Sequence, residues 1–161
     1  MPAKIDGPLG KLVVRLAGSR AFLRVGPKIV PHLDRMLHKL SGGRLISSGG
    51  MLPSLMLTTT GAKSGLTRTT PLATKPEGSC WYVVGSNFGR DNHPAWTANL
   101  IANPDASVSF KARDTAVHAH LLTDTEKAEV WPRLIQLWPN YDVYTERSGR
   151  DLRVFRLDPR A

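Results

Sequence analysis

The sequence predicts an α+β fold of mainly β character: a small antiparallel β-barrel with peripheral helices and a helical N-terminal segment. Five or six short β-prone runs follow residue 50, with short helical patterns scattered among them. These helices do not alternate regularly with the strands, which favours a barrel over a βαβ sheet. The length of 161 residues is that of one domain. We divide it into a basic helical segment, residues 1–50, and a barrel domain, residues 51–161.

Two amphipathic helices are predicted in the N-terminal segment. Apolar residues recur at helical spacing over residues 9–16 and again over residues 29–40. Pro27 and Pro31 suit the first turn of the second helix, and Gly42-Gly43 ends it. Basic residues occupy the other faces, a pattern shared by helices that pack on a core and helices that lie on a membrane surface.

The positive charge is concentrated in the same segment. Of the net charge of +9, residues 1–50 contribute nine Lys/Arg against two Asp, and the rest of the chain is nearly balanced. Such a segment is typical of proteins that bind nucleic acid, an anionic membrane or an anionic ligand, and a solvated helix face is the alternative. Because the aromatic residues cluster elsewhere, in residues 80–96 and 131–144, we expect no nucleic-acid partner.

The barrel domain begins with strand and turn signals. The predicted strands are β-branched and apolar runs at residues 54–60, 67–74, 80–85, about 106–110, about 115–122 and about 153–157. Turn-rich residues 61–65 join the first two strands, and residues 76–78 (Pro-Glu-Gly) form the next turn. Pro94 begins a short helix over residues 95–101, which residues 103–104 (Asn-Pro) end.

One longer helix is predicted before the last strand. Thr123 and Glu126 have the spacing of a capping box and begin a helix that extends to Trp138. Pro132 lies within it, so we expect a kink there, or a restart of the helix with Pro132 in its first turn.

Residues 61–71 (Gly-Ala-Lys-Ser-Gly-Leu-Thr-Arg-Thr-Thr-Pro) form the first candidate site. Its two glycines free the backbone so that N–H groups can face an anion, and Lys63 and Arg68 add positive charge. It is not a Walker A loop, because Ala62 rather than glycine precedes the lysine. The donors favour a phosphate site, and an ordinary hairpin with a polar turn is the alternative.

Residues 85–96 (Gly-Ser-Asn-Phe-Gly-Arg-Asp-Asn-His-Pro-Ala-Trp) form the second candidate site. Small turn-forming residues let a planar ligand approach the backbone, and the N-terminus of the helix after Pro94 can face an anion. His93 precedes the helix-starting proline, a position typical of capping or packing rather than acid–base catalysis.

No metal site is predicted. The single cysteine, Cys80, excludes an intrachain disulfide and a cysteine-based zinc site, and its apolar neighbours indicate a buried structural thiol. His118 and His120 alternate within a strand and have no carboxylate at ligand spacing.

Tyr141 and Tyr144 form the third feature. Three residues apart, they share one helical face and each offers an apolar ring and a hydroxyl. Core packing is the alternative to a role at a site.

Taken in order, these motifs resemble one family. Residues 57–72 read Leu-Thr-Thr-Thr-Gly-x-Lys-Ser-Gly-x-x-Arg-Thr-Thr-Pro-Leu, and residues 83–104 read Val-Val-x-Ser-Asn-x-Gly-x-x-x-x-Pro-x-Trp-x-x-Asn-Leu-x-Ala-Asn-Pro. With Tyr-x-x-Tyr ahead of an Arg-rich strand, the chain resembles the deazaflavin-dependent nitroreductases over residues 34–157. It departs from them at residues 152–154, where Leu-Arg-Val replaces the family's Ile-Pro-Val. The residues before 34 form a longer segment than the family needs.

The resemblance implies a split β-barrel of the FMN-binding type that uses coenzyme F420. It places the coenzyme's phosphate and tail at Lys63, Ser64, Gly65 and Arg68, its ring along Thr70, Pro71 and Leu72, the ring edge at Gly85, Ser86 and Asn87, and the other side at Arg90, Pro94, Ala95 and Trp96. Tyr141 and Tyr144 then line the substrate pocket. Tyr144, Ser86 or solvent supplies the proton that follows the hydride.

The implied activity is hydride transfer from reduced coenzyme F420 to an electrophilic small molecule such as a quinone, enone or nitroaromatic. An FMN-dependent oxidoreductase on the same barrel and a non-catalytic deazaflavin- or lipid-binding protein are the alternatives. No apolar run is long enough to span a membrane, and we expect no signal peptide, since charges break the apolar stretches of the N-terminus. We therefore expect a cytoplasmic protein, with peripheral contact to the inner face of an anionic membrane left open. The oligomeric state stays undecided.

Overall fold

A computed structural model of the chain describes residues 7–42 and 52–161. Five α-helices lie in these residues: α1 (Pro8–Ala17), α2 (Arg20–Leu40), α3 (Ala95–Ala102), α4 (Asp124–Leu137) and α5 (Asn140–Ser148). Seven strands accompany them: β1 (Ser54–Thr60), β2 (Thr67–Ala73), β3 (Lys75–Glu77), β4 (Cys80–Val84), β5 (Asp105–Phe110), β6 (Arg113–Leu121) and β7 (Val154–Pro159). The predicted strands are therefore all present, and β3 is an addition to them.

All seven strands belong to one antiparallel sheet. Their order is β2-β1-β5-β6-β7-β4-β3, so β2 and β3 are the edge strands. The sheet is curled into a half-barrel, and β2 contacts β4 across the curl. The predicted antiparallel split barrel with peripheral helices is confirmed.

Two apolar clusters cover the two faces of this sheet, because successive strand residues point to opposite sides. The first fills the barrel and comprises Leu55, Leu57, Val83, Trp96, Leu100, Val108, Val117, Ala119, Phe155 and Leu157. The second joins the other face to α4 and α5 and comprises Val84, Val130, Leu134, Tyr141, Tyr144, Leu152 and Val154. Full burial of one such aliphatic side chain stabilises the fold by about 1.5–3 kcal/mol.

The N-terminal helices differ from the prediction in one respect. The second helix begins at Arg20, not near Lys28, because Ser19 caps it by accepting a hydrogen bond from the Phe22 amide at 3.2 Å. Pro27 and Pro31 consequently lie inside α2, where each removes one helical hydrogen bond without ending the helix. No helix within residues 7–42 or 52–161 is both long and apolar enough to cross a membrane.

Two further prolines explain the remaining differences. Pro76, predicted in a turn, lies in β3, and the turn follows at residues 78–79, where Gly78 has a φ of +59°. An edge strand tolerates a residue that lacks an N–H donor. Pro132 lies within α4, which continues to Leu137, so the alternative of a restart is wrong and the kink stays a prediction.

The predicted capping box at the start of α4 is confirmed. The Thr123 hydroxyl accepts from the Glu126 amide at 3.3 Å, and the Glu126 carboxylate accepts from the Thr123 amide at 2.8 Å. The two side chains thus satisfy two amides that a helix N-terminus leaves unpaired.

Candidate functional site

Residues 61–66, which we name the hairpin loop, connect β1 to β2. The Gly61 amide donates to the Leu66 carbonyl at 2.8 Å, and the Gly65 amide donates to the Gly61 carbonyl at 2.9 Å. Gly61 has no room for a side chain, since a Cβ there would lie 2.5 Å from Ser64 Oγ. Gly65 has a φ of +66°, a backbone conformation that residues other than glycine rarely adopt. The loop geometry therefore favours glycine at both positions of the motif.

The cations of this motif are available for a ligand. Lys63 and Arg68 are exposed, and neither forms an ion pair with any residue of the described ranges. In β2, Thr70 and Leu72 face the same side as the barrel-filling residues of β1 with which they pair, and Arg68 pairs with Thr59 on that side. Pro71 lies on the opposite face, so its side chain does not line the same surface as Thr70 and Leu72.

The hairpin loop is anchored to helix α3 by one buried amide. The Asn99 side chain accepts from the Ala62 amide at 2.9 Å and donates to the Thr59 hydroxyl at 3.1 Å. Asn103, just after α3, donates to the Thr60 carbonyl at 3.5 Å. The C-terminal half of α3 therefore fixes the position of the hairpin loop.

Residues 85–94, which we name the glycine loop, lead from β4 into the first turn of the same helix. The Gly85 amide donates to the Arg153 carbonyl at 2.8 Å. A Cβ at Gly85 would lie 2.7 Å from the Thr97 methyl group of α3, so only glycine fits. Asn87 and Phe88 have φ values of 46° and 56°, a left-handed conformation that costs roughly 1–3 kcal/mol in a non-glycine residue.

Helix α3 thus brings the two predicted motifs together. Its first turn contacts Gly85, and its second turn binds the hairpin loop through Asn99. Of the predicted residues at its start, Ala95 is exposed and Pro94 is half-buried. The Trp96 side chain is only 5% exposed and packs on Phe155 in the barrel, so the structure does not bring its ring to the surface of the site.

Tyr144 lies behind the glycine loop, whereas the Tyr141 ring packs on Trp131 of α4, with 6.2 Å between the ring centroids. Tyr141 and Tyr144 are both buried in α5, and the Tyr144 ring lies 6.4 Å from the Phe88 ring. Gly89, with a φ of +73°, packs so closely on Tyr144 that a Cβ would lie 3.1 Å from the Tyr144 Cα. Burial raises the pKa of both phenols, and for Tyr144 hydrogen bonds with Trp138 and Asn140 oppose part of that effect. Both hydroxyls therefore keep their protons at neutral pH.

Helix α3 thus fixes two glycine-rich loops that carry cations. Comparison with known proteins shows the family to which the chain belongs. The family model of F420H(2)-dependent quinone reductase matches residues 32–159. The chain belongs to this family. An F420H(2)-dependent quinone reductase of Mycobacterium tuberculosis is 34% identical over 114 residues, which cover 69% of this chain and 76% of that protein. A second M. tuberculosis protein, a putative F420H(2)-dependent quinone reductase, is 29% identical over 109 residues, 68% of this chain and 92% of that protein.

Solved structures agree with the family assignment. An F420-H2 dependent reductase has 33% sequence identity and a TM-score of 0.61, with 66% of this chain and 94% of that chain covered. A protein that forms a domain-swapped dimer has 28% identity and a TM-score of 0.63, with 77% of this chain and 95% of that chain covered. The predicted assignment to a family of coenzyme F420-dependent oxidoreductases is confirmed, and the family found is that of quinone reductases.

The residues present fit this coenzyme. An anionic phosphate and tail need cations, and the exposed Lys63 and Arg68 have no carboxylate partner among the described residues. Gly85 and Gly89 are buried against Thr97 and Tyr144, so they fix the shape of the loop on which a planar ring would lie. The Ser86 hydroxyl makes no hydrogen bond within residues 7–42 and 52–161, so it is available to a ligand.

Two residues of this region were not predicted from the sequence. Asn99 joins the hairpin loop to α3, and Arg150 donates to the Ser86 carbonyl, the Arg90 carbonyl and His93 Nδ1 at 2.8–2.9 Å. Asn99 stands in the quoted motif, but its partners lie 37 and 40 residues earlier, and no local spacing identifies them. His93 packs against Arg150, in agreement with its predicted packing role.

Proposed function

We propose that this chain transfers a hydride from reduced coenzyme F420 to a quinone-type electrophile, with the coenzyme bound between the hairpin loop and the glycine loop. The observation that carries the proposal is the attachment of both loops to α3, through Asn99 at one end and Gly85 at the other. The family and its named quinone reductases support the substrate class. Enones and activated nitroaromatics are further electrophiles of the same chemical kind.

When bound, reduced coenzyme F420 supplies the hydride, and the chain supplies binding, orientation and a proton. Lys63 and Arg68 bind the anionic phosphate and tail, assisted by Ser64. Thr70, Leu72 and the backbone of Gly85–Asn87 orient the ring, and Arg90, Pro94 and Ala95 close the opposite side. The reaction needs no pair of carboxylates or histidines to activate a side-chain nucleophile, because the coenzyme supplies the hydride.

Two hydroxyls are candidate proton sources in this proposal. The Ser86 hydroxyl is half-buried and unbonded among the described residues, so it can donate to a substrate oxygen or relay a proton from solvent. Tyr144 lies behind Gly89, and its raised pKa makes it a hydrogen-bond donor that does not readily lose its proton. Tyr141 borders the same pocket in this proposal as a packing residue.

Titration of the purified protein separately with oxidised coenzyme F420 and with FMN tests the cofactor. We expect the deazaflavin to bind at least about tenfold more tightly, because its anionic tail adds charge-assisted contacts beyond one phosphate. Equal or tighter FMN binding would contradict the proposal. Oxidation of reduced coenzyme F420 by a water-soluble quinone then tests turnover, and tight binding without turnover would indicate a binding protein.

We further propose that the protein is cytoplasmic and binds peripherally to the inner face of an anionic membrane through α1 and α2. The exposed apolar residues of the two helices are Leu9, Leu12, Leu16, Val25, Ile29, Leu33, Met36 and Leu40. Basic residues flank this stripe, and the apolar and cationic faces together are complementary to an anionic lipid surface. A lipid-soluble quinone would make that location useful.

Flotation with vesicles containing anionic lipid tests the membrane proposal. The triple variant Leu9→Ser, Leu12→Ser and Leu16→Ser removes exposed apolar surface and should reduce vesicle binding while coenzyme binding persists. Leu121→Ser, at a partly exposed strand position with 41% exposure, is the matched control. We expect binding of the wild type to require anionic lipid and to weaken as salt rises. Absence of binding at low salt would exclude the membrane role.

A further inference from the structure

Arg150 is the residue that connects the C-terminal part of the chain to the glycine loop. It follows Gly149, which ends α5 in the left-handed conformation with a φ of 62°. Its guanidinium donates from Nε to the Arg90 carbonyl at 2.8 Å, from one terminal nitrogen to His93 Nδ1 at 2.9 Å, and from the other to the Ser86 carbonyl at 2.9 Å. All three nitrogens of one side chain therefore bind the same loop.

We propose that Arg150 is a positioning residue for the coenzyme site: it holds the glycine loop in its bound shape by bridging Ser86, Arg90 and His93. The proposal rests on the proposed function for the identity of the ligand, while the contacts themselves belong to the chain. Arg150 acts through the loop and touches neither coenzyme nor substrate.

The loop needs such an external contact because its backbone is strained. Asn87 and Phe88 are consecutive non-glycine residues with positive φ, and such a conformation persists only where surrounding contacts enforce it. Within the loop, the Asn87 side chain donates to the Asn92 carbonyl at 2.8 Å. The contacts of Arg150 begin before the strained pair, at Ser86, and end after it, at Arg90 and His93. They fix both ends of the strained segment.

The geometry selects arginine over lysine. A guanidinium presents a planar, fixed set of donors, so one side chain can satisfy three acceptors that lie in different directions. A lysine ammonium keeps the charge but has a different reach and donor geometry, and it reproduces at most part of the set. Arg150→Lys therefore separates the effect of donor geometry from the effect of charge.

His93 completes the arrangement as an acceptor. Because Arg150 donates to Nδ1, that nitrogen carries no proton in this arrangement, and His93 is neutral with its proton on Nε2. The charged groups that act on His93 are Arg150 and Arg153, which oppose protonation, and Asp151, which favours it. Burial first, then Arg153 and Arg150, lower the pKa of His93 below its ordinary value of 6.5. Protonation would abolish the Arg150–His93 bond and add a second cation beside Arg150.

Hydrogen exchange of the amides in residues 85–94, measured on the coenzyme-free protein, tests the inference directly. Arg150→Lys and Arg150→Gln should exchange there at least about tenfold faster than wild type, with exchange in β1 and β5 unchanged. The matched control is Arg113→Gln, because Arg113 is also an arginine but is exposed and distant in sequence from the loop. Unchanged loop exchange in both Arg150 variants would overturn the inference.

Binding of oxidised coenzyme F420 provides the second readout. Both Arg150 variants should bind it about three- to tenfold more weakly than wild type and than Arg113→Gln, and Arg150→Lys should bind it more tightly than Arg150→Gln. Wild-type affinity in folded Arg150 variants would also overturn the inference. Failure of the wild type itself to bind the coenzyme would instead contradict the proposed function, and loop exchange would still test the contacts of Arg150.

The pH dependence separates a positioning role from simple stabilisation of the fold. Wild-type coenzyme affinity should decline as the pH falls from about 8 to about 5. The decline should occur at a pH below the ordinary pKa of histidine, near the lowered pKa of His93. In His93→Asn, the side-chain oxygen can accept from Arg150 without taking up a proton, so this decline should be smaller. An identical decline in wild type and His93→Asn would show that His93 does not mediate it.

Discussion

The two loops of the candidate site are built in opposite ways. The hairpin loop is exposed, closes on its own backbone bonds and receives one buried anchor from Asn99. The glycine loop is strained at Asn87 and Phe88 and is packed by α5 and bound by Arg150. The first loop thus offers unpaired charge on a simple turn, and the second offers a fixed shape. We infer that affinity depends mainly on the first and orientation mainly on the second.

The largest loss of coenzyme affinity is expected when one of the two cations, Lys63 in the hairpin loop or Arg68 in β2, is replaced. Lys63→Ala and Arg68→Ala should each weaken coenzyme affinity by about ten- to a hundredfold, since a charge-assisted contact is worth roughly 1.5–3 kcal/mol. Titration with oxidised coenzyme F420 measures this, and the melting temperature should not change because both residues are exposed. Arg113→Ala serves as the control for loss of an exposed arginine. Wild-type affinity in both variants would show that the charges of Lys63 and Arg68 do not bind the coenzyme.

A smaller loss of affinity, with a loss of stability, is expected at Gly85. Gly85→Ala places a methyl group 2.7 Å from the Thr97 methyl, and such overpacking typically costs about 1–3 kcal/mol. Thermal unfolding and coenzyme titration should both report the change. Combination with Thr97→Ser removes the clashing methyl but keeps the hydroxyl that donates to the Pro94 carbonyl. Recovery in the double variant would establish the contact, whereas an equal defect in both would refute it.

The anchor of the hairpin loop should have a still smaller effect on affinity. Asn99→Ala leaves the Ala62 amide and the Thr59 hydroxyl without their partner, at a cost to stability of about 1–3 kcal/mol. Coenzyme affinity should fall only a few-fold, since the loop keeps its internal backbone bonds. Gln136→Ala, which removes an exposed amide side chain in α4, is the control. A loss as large as that of Lys63→Ala would show that the hairpin loop also depends on a fixed shape.

The smallest effect on coenzyme affinity is expected at Tyr144. Tyr144→Phe keeps the ring that packs on Gly89 and Phe88 and removes only the hydroxyl. Quinone or enone reduction should slow while the dissociation constant of the coenzyme stays nearly unchanged. A steady-state assay measures the turnover, and direct titration measures the dissociation constant of the coenzyme. Tyr82→Phe is the control. An equal loss in both quantities would place Tyr144 at the coenzyme rather than at the substrate.

Local patterns were sufficient to predict most of the fold. The bounds of β1 and the short helix after Pro94 agree with the structure to within a residue, because turn residues and apolar runs mark them clearly. Prolines caused the errors. Pro27 and Pro31 resemble a first helical turn, but the Ser19 cap begins the helix earlier, and Pro76 lies in an edge strand that tolerates it.

The candidate site was predictable only in its local parts. The glycine and cation positions of both loops follow from nearby residues, and the structure gives each glycine a steric or conformational reason. The contacts that hold the two loops in place could not be predicted from nearby residues. Arg150 binds residues 57–64 positions earlier, and Trp96, expected at the ligand, has its ring in the barrel because the α3 face on which it lies is set by tertiary packing.

The two edge strands have a consequence for how the protein behaves at high concentration. An edge strand exposes unpaired amides and carbonyls that can recruit a strand from another molecule, a common origin of aggregation. Within the described sheet, each edge contains a proline, Pro71 in β2 and Pro76 in β3. A proline has no amide hydrogen to offer an incoming strand, and β3 is only three residues long. The half-barrel therefore has two edge strands without a neighbour on one side, but neither is well suited to pair with a strand of another molecule.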